Sequence, residues 1–516
     1  MPESEIDLAD IRDKLLPLDL PDYSAAGKVK IKLNYTGKPD NFDSDINIEG
    51  NFGKLNGKVR LDMSEKIPKY NIKLLGSNLN LKPFLGNSFD SKINCRISGA
   101  GSGFDINDVN TEIDVEIDSS RFLHQPIDRS RIAITFINRH CNALIAFAGG
   151  DTKIGLNTEF NLSRKNDQSY SFNLAINNLD VSKFTNDPNM SSDINISSAI
   201  SGEYLSIDKT SGQAIFYIFP SRVRSDSIPE LSFNLKYNQE DPEDRRISLY
   251  SDIADLELKG LYSVESFSKN VPNKLQKLFE EISTTLPFPA KGETKVLLKP
   301  EKQWLVKNQK KTAKQKIAAQ ALDSIDLDYS IHIKKPGLIK NFLKCKEINT
   351  DIRLDGRLIA GEKSLSLTGN AKVDNLFYLS EKNNILMQDM LLDYKISSPA
   401  GDERLMNLNN KISVKMPILY LNKNVIRNTE ADISTEKNVT NLSLSGNFEG
   451  KTDFKINGKV LLGKTEHGVE FSRVNIKHAN YEWKNKEDIV CFIRNDGFDI
   501  QSLILNHDKE EIVLEG

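Results

Sequence analysis

The chain has 516 residues, 38% hydrophobic and 27% charged, and its 69 Lys and Arg against 72 Asp and Glu leave a formal net charge of −3. That balance speaks against a nucleic-acid partner, because phosphate binding needs a basic surplus on some face. No run of ~18 apolar residues is present, and Met1-Pro2-Glu3-Ser4-Glu5 has neither the basic nor the apolar region of a signal peptide.

From Val29 to Leu514 apolar and polar side chains alternate with a period of two. Side chains on a strand point to opposite faces in turn, so this beat describes strands with one apolar face, a pattern typical of antiparallel sheets. In chain order the clearest runs are Ile113, Val115 and Ile117; Ile132, Ile134 and Phe136; Phe160 and Leu162; Phe172, Leu174 and Ile176; and Leu231, Phe233 and Leu235. Asn56-Gly57, Gly99 to Gly103, Gly149-Gly150-Asp151, Asp355-Gly356, Asn457-Gly458 and Asp496-Gly497 are read as the tight turns between strands.

The period changes at 272–285, where Leu275, Leu278, Phe279 and Ile282 recur at helical spacing after Pro272 and before Pro287 and Pro289. An amphipathic helix is expected there, lying on the sheet or on a membrane surface. Six lysines between 302 and 316, with no acid after Glu301, then lead into a second short helix near 311–322. This stretch reads as a solvated linker or as a contact for anionic head groups. The alternation resumes at Leu327, Tyr329, Ile331 and Ile333, continues at Leu442 and Leu444, and ends with Ile500, Leu503 and Leu505 after a one-residue slip.

At one strand and turn per roughly 12 residues the chain holds on the order of 40 strands, far beyond the ~10 at which an open twisted sheet curls or splits. The expected fold is therefore all-β: a long continuous antiparallel sheet curled lengthwise into an apolar-lined groove, with one or two short helices near 272–285 and 311–322. Residues 1–269 and 324–516 are expected as two groove segments, with a helical and lysine-rich interruption at 270–323.

Residues for chemistry are not assembled. Cys95, Cys141, Cys345 and Cys491 lie far apart with no C-x-x-C pair, and the six histidines show no i+3 or i+4 partner, so no metal ligand is assigned. Gly99-Ala100-Gly101-Ser102-Gly103 is followed by a strand and not by the helix that a phosphate loop requires. Nucleophile-elbow, Walker and H-E-x-x-H sequences are missing. The chain is read as a non-enzyme without a cofactor. Its candidate site is the apolar face itself: Ile113, Val115, Ile117, Ile132, Ile134, Phe136, Phe160, Leu162, Phe172, Leu174, Ile176, Leu231, Phe233 and Leu235, placed to hold acyl chains.

A phrase of strand, Gly, polar turn and a short "N-L-x-L" or "D-L" element recurs: Leu75-Gly76-Ser77-Asn78-Leu79-Asn80-Leu81 with Phe84-Leu85, Asn178-Leu179-Asp180-Val181 with Phe184, Leu365-Ser366-Leu367-Thr368-Gly369, and Leu442-Ser443-Leu444-Ser445-Gly446. By the accumulation of these phrases most of the chain resembles the C-terminal β-repeat part of the TamB family, within the AsmA-like bacterial envelope proteins. The resemblance implies bridge-like transfer of phospholipid along a β-groove, or envelope assembly, in the periplasm of a Gram-negative bacterium. It further implies a parent protein anchored in the inner membrane, of which this chain is a segment, and an outer-membrane β-barrel partner of the TamA/BamA type. The competing expectation is a tandem β-sandwich adhesin or surface-layer protein, in which each apolar face packs on a second sheet.

Overall fold

The computed structural model describes residues 4–7, 26–86, 89–123, 125–163, 168–263, 267, 324–340, 345–361, 365–381, 383–398, 409–461, 466–494 and 497–515. These are nearly all β: 31 strands of one long antiparallel sheet, with two short α-helices. Among the described residues the strands run up to 15 residues each, in Leu365–Leu379 and Asn384–Ser398. The helices expected near 272–285 and 311–322 lie outside the described residues. The chain divides into two compact units, Met1–Lys236 and Tyr237–Gly516.

The first unit is a meander. β1 (Ser4–Asp7) pairs with β2 (Lys28–Lys38), followed by β3 (Asn41–Gly50), β4 (Gly53–Asp62), β5 (Lys69–Leu79), β6 (Ser91–Ser102), β7 (Asn110–Phe122), β8 (Gln125–Ile137), β9 (His140–Gly149), β10 (Thr152–Asn161), β11 (Ser169–Leu179), β12 (Ser192–Glu203) and β13 (Ser211–Ile218), each on its predecessor. A small hairpin, β14 (Ser221–Val223) and β15 (Asp226–Ile228), sits on the start of β12, and β16 (Leu231–Asn238) follows.

In the second unit β17 (Arg245–Ser251), β18 (Ala254–Leu261), β19 (Ile325–Ile333), β20 (Glu347–Ala360), β21 (Leu365–Leu379) and β22 (Asn384–Ser398) pair in order, and the ladder runs on to Glu510–Leu514. Here the sheet has a closed core. Tyr262, Ile325, Leu327, Leu358, Ala360 and Leu365 are buried together, with Phe267 and Ile396 against them.

Several residues read as turns are strand. Asn56-Gly57, Asp355-Gly356 and Asn457-Gly458 lie inside Gly53–Asp62, Glu347–Ala360 and Thr452–Leu461, and of the stretch Gly99 to Gly103 only Gly103, at φ 73°, leaves the strand. The physical reason is cross-strand crowding. A Cβ on Gly356 would lie 2.4 Å from the Tyr329 hydroxyl, and one on Gly458 would lie 2.8 Å from the Phe471 ring. Glycine there makes room for a ring instead of turning the chain. Gly150, at φ 57°, does turn, and the slip before Leu503 is a bulge that pairs Val490 with Ser502 and Cys491 with Ile500.

Within the first unit one local structure occurs twice, about 100 residues apart. The bulge residues Asn78 and Asn178 have φ of 53° and 52°, and their N–H groups donate to the Asn94 and Asn195 side chains at 2.9 and 2.8 Å. Leu81 and Val181 N–H then donate to Ser91 and Ser192 Oγ at 2.7 and 2.8 Å, and Asn94 and Asn195 N–H to Ser120 and Ser221 Oγ at 2.8 and 2.9 Å. The strand end is thereby held by side chains where the ladder stops. The two short helices, α1 (Lys82–Leu85) and α2 (Ser182–Thr185), sit at the same place in each copy.

Candidate ligand-binding face

Opposed residues in an antiparallel pair share a face, so the register assigns the faces without further assumption. Across β7 to β12 one row runs Val115, Ile132, Ile145, Leu156, Leu174 and Ser198. The next runs Ile113, Ile134, Ala143, Thr158, Phe172 and Ile200, and the one after it Thr111, Phe136, Cys141, Phe160, Tyr170 and Gly202. Of the fourteen candidates, Ile113, Val115, Ile117, Ile132, Ile134, Phe136, Phe160, Phe172, Leu174 and Ile176 are brought onto this one face. Leu162 lies just past the end of β10, where its N–H donates to Arg139 O at 2.8 Å. Leu231, Phe233 and Leu235 alternate along β16, Leu231 buried and the others half-buried.

The same face extends further than hydropathy alone suggested. Through Gly76–Cys95–Ile117 and Leu74–Ile97–Val115 it includes Ile72 and Leu74 of β5, Leu55 and Val59 of β4, Ile46 and Ile48 of β3, and Ile31 and Leu33 of β2. Beyond β12 it takes in Ala214, Phe216 and Ile218. No described position of this face between β2 and β13 carries a charged side chain. Its polar members are mostly small, such as Ser44, Ser130, Thr158 and Ser198, or are tyrosines, and the buried Gln125 donates to Gly149 O.

Charge is confined to the other face. Lys58 meets Asp45 at 3.8 Å, Arg96 meets Glu116 at 2.8 Å, and Arg131 Nε donates to Asp114 at 2.8 Å. Exposed pairs of this kind contribute about 0–1 kcal/mol each. Their effect is to mark that face as the one in water.

The apolar face is not packed away. Ile113, Val115, Ile117, Ile132, Ile134, Phe136, Phe160, Phe172, Leu174 and Ile176 are all half-buried, where a sandwich core buries such residues fully. Their main ring contact is lateral, Phe160 edge-on to Phe172 at 5.0 Å. At one rim α1 and α2 fold over the face. Phe84 meets Phe52 at 5.2 Å, in a cluster with Val29, Ile31 and Ile48, and Phe184 meets Phe147 at 6.3 Å.

The chemistry available is that of an apolar surface. Two free cysteines sit on the face, Cys95 and Cys141, a third, Cys491, lies in the second unit, and burial pushes each thiol above its usual range. Burial, then a hydrogen bond with the Tyr394 hydroxyl, raises Tyr329 likewise. Among the described residues no three His, Cys, Asp or Glu side chains are grouped to hold a metal ion. No protein-family model, curated protein or solved structure matches this chain.

Proposed function

We propose that the chain carries lipid, holding phospholipid acyl chains on its apolar face and passing them along the sheet between two membranes, as the resemblance to TamB-like envelope proteins suggests. The observation that carries this reading is the apolar face from β2 to β13: continuous in register, free of charge and only half-covered. Each methylene laid on such a face removes apolar surface from water, worth up to ~0.8 kcal/mol when burial is complete. A chain of many methylenes therefore binds without any directional contact, and it can slide because no single position holds it.

The test is photo-crosslinking in cells. Crosslinkers at Val115 and Phe172 should capture phospholipid, whereas those at Glu116 and Asn173, which the register puts on the opposite face, should not. Equal capture at both faces, or none at either, refutes the reading.

A further inference from the structure

The two rims of the first unit differ, and the difference gives the apolar face a direction of access. At the rim of α1 and α2 the chain closes on itself through the duplicated Asn and Ser hydrogen bonds, with Phe84 and Phe184 folded over the face. The opposite rim carries the loops 103–109 and 204–210, which join β6 to β7 and β12 to β13.

These two loops are built alike. Gly103 and Tyr204 N–H donate to Pro68 and Gln168 O at 2.8 and 2.9 Å, and Val109 and Thr210 N–H to Asp105 and Ser206 O at 2.8 Å each. Their polar positions differ, with Asp105, Asn107 and Asp108 in one against Ser206, Asp208 and Lys209 in the other. Their apolar positions do not. Each tip presents an apolar pair two residues apart, Phe104 and Ile106 at 69% and 55% exposure, Leu205 and Ile207 at 44% and 61%. A single exposed apolar residue needs no explanation. An apolar pair at the same place in two loops of otherwise different sequence does, because Ile106, Leu205 and Ile207 stay exposed.

The tips are continuous with the apolar face. Phe104 stacks on Tyr70 with ring centroids 5.5 Å apart and planes 9° from parallel. Tyr70 belongs to the face, opposite Gly101, where a Cβ would come within 2.8 Å of its hydroxyl. Tyr170 covers Gly202 in the same way and shares a hydrogen bond of 2.6 Å with Thr210 Oγ1 of the second loop. At ~4.8 Å per spacing, the six strand-to-strand steps from β6 to β12 put the tips roughly 29 Å apart along this rim.

We propose that Phe104, Ile106, Leu205 and Ile207 form the lip over which the acyl chain of an amphiphile enters and leaves the apolar face; this rests on the lipid-carrying reading above. The exposed pair gives a chain leaving water its first apolar contact, and Tyr70 or Tyr170 leads it onto the face. The opposite rim offers no such path, since Phe84 and Phe184 already fold over the face there.

Loading is measured on the full chain with a pyrene-labelled fatty acid carried by cyclodextrin, so that no bilayer is present. The double variants Phe104→Ser/Ile106→Ser and Leu205→Ser/Ile207→Ser should each slow loading several-fold, and together at least tenfold, while the amount bound at equilibrium stays that of the unaltered chain. Phe89→Ser and Met190→Ser, exposed on the opposite rim, should load at the normal rate. Because Ile207 takes no part in the ring stack, the second pair remains informative if the first unfolds. Unchanged loading in both double variants, or equal slowing by the opposite-rim variants, overturns the lip. So does slowing seen only with vesicles as donor, which would make the tips a bilayer contact. Failure of the lipid reading looks different: the unaltered chain would then bind no fatty acid at all.

Discussion

The apolar face has one character over β7–β12 and another over β17–β22. In both places most alternate residues are Ile, Leu, Val, Phe or Tyr, and each antiparallel ladder is interrupted by a bulge, between Ile176 and Leu179 in one and between Asp351 and Ile352 in the other. Over β19–β21 the side chains are sealed: Tyr262, just past the end of β18, clusters with Ile325, Leu327, Leu358 and Leu365, and all are buried. Tyr262 is itself fixed, since the Gln239 amide donates to its hydroxyl at 3.1 Å and the buried Arg245 guanidinium donates to its carbonyl. Over β7–β12 Phe184 reaches Phe147 at one rim, while Ile113, Ile132, Phe172 and Leu174 are only partly buried among the described residues. Alternation thus specifies an apolar face but not its cover. Where the rows cluster tightly the face is a core, and where the described residues leave it partly exposed it can take a ligand.

The largest way to break this contrast is to empty the buried cluster. Tyr262→Ala should cost roughly 3–5 kcal/mol, the range for deleting a buried aromatic ring, read as a shift in the denaturation midpoint of the second unit. Ile132→Ala or Leu174→Ala, only partly buried, should cost less, about 1–2 kcal/mol, since part of the burial term is absent. Equal costs at Tyr262 and Leu174 would mean that the face over β7–β12 is a packed core after all.

A smaller structural effect with a larger functional one is expected from Phe172→Asp. A carboxylate on a half-exposed position keeps access to water, so the ladder should survive with little change in thermal midpoint, while acyl chains lose a stretch of surface that a charge makes costly to cross. Lipid capture at Val115 should fall by at least tenfold. Loss of folded protein, with no lipid phenotype separable from it, would assign Phe172 to a core.

Much of this was legible in the amino-acid order. Ile113, Val115 and Ile117 announce both their strand and their face, because acids separate them, and the slip before Leu503 shows up as a bulge. What the pattern hid has two causes. Gly57, Gly99, Gly101, Thr158 and Ser198 lie on the apolar face without being apolar, so the beat falters there, and the glycines read as turns although they sit beneath or beside bulky neighbours. The second cause is that the cover is a tertiary property. Nothing near Leu327 in sequence says that Tyr262, 65 residues earlier, will be buried in the same cluster. The hydrogen-bonded frame around Asn78 and Asn178 was visible as a repeated phrase, but its partners Asn94, Asn195, Ser120 and Ser221 come from later strands and become evident only once the register is known.

The finest probe of the open face uses thiols it already contains. Cys95 and Cys141 stand opposite Ile117 and Phe136 on that face, and burial raises both thiols. The thiolate is the reactive form, so a raised pKa leaves less of it at a given pH. The alkylation rate of each should therefore climb at higher pH than that of the same thiols in the denatured chain. Cys95 and Cys141 should nevertheless react, because half-buried positions stay reachable by a small reagent, and saturating fatty acid should slow both further by covering them. Cys491, on the corresponding face of the second unit, should share the pH displacement, and whether it shares the slowing shows whether acyl chains reach that unit too. If fatty acid left the rates at Cys95 and Cys141 unchanged while binding to the chain, the ligand would be held elsewhere, and the half-exposed face would need another occupant.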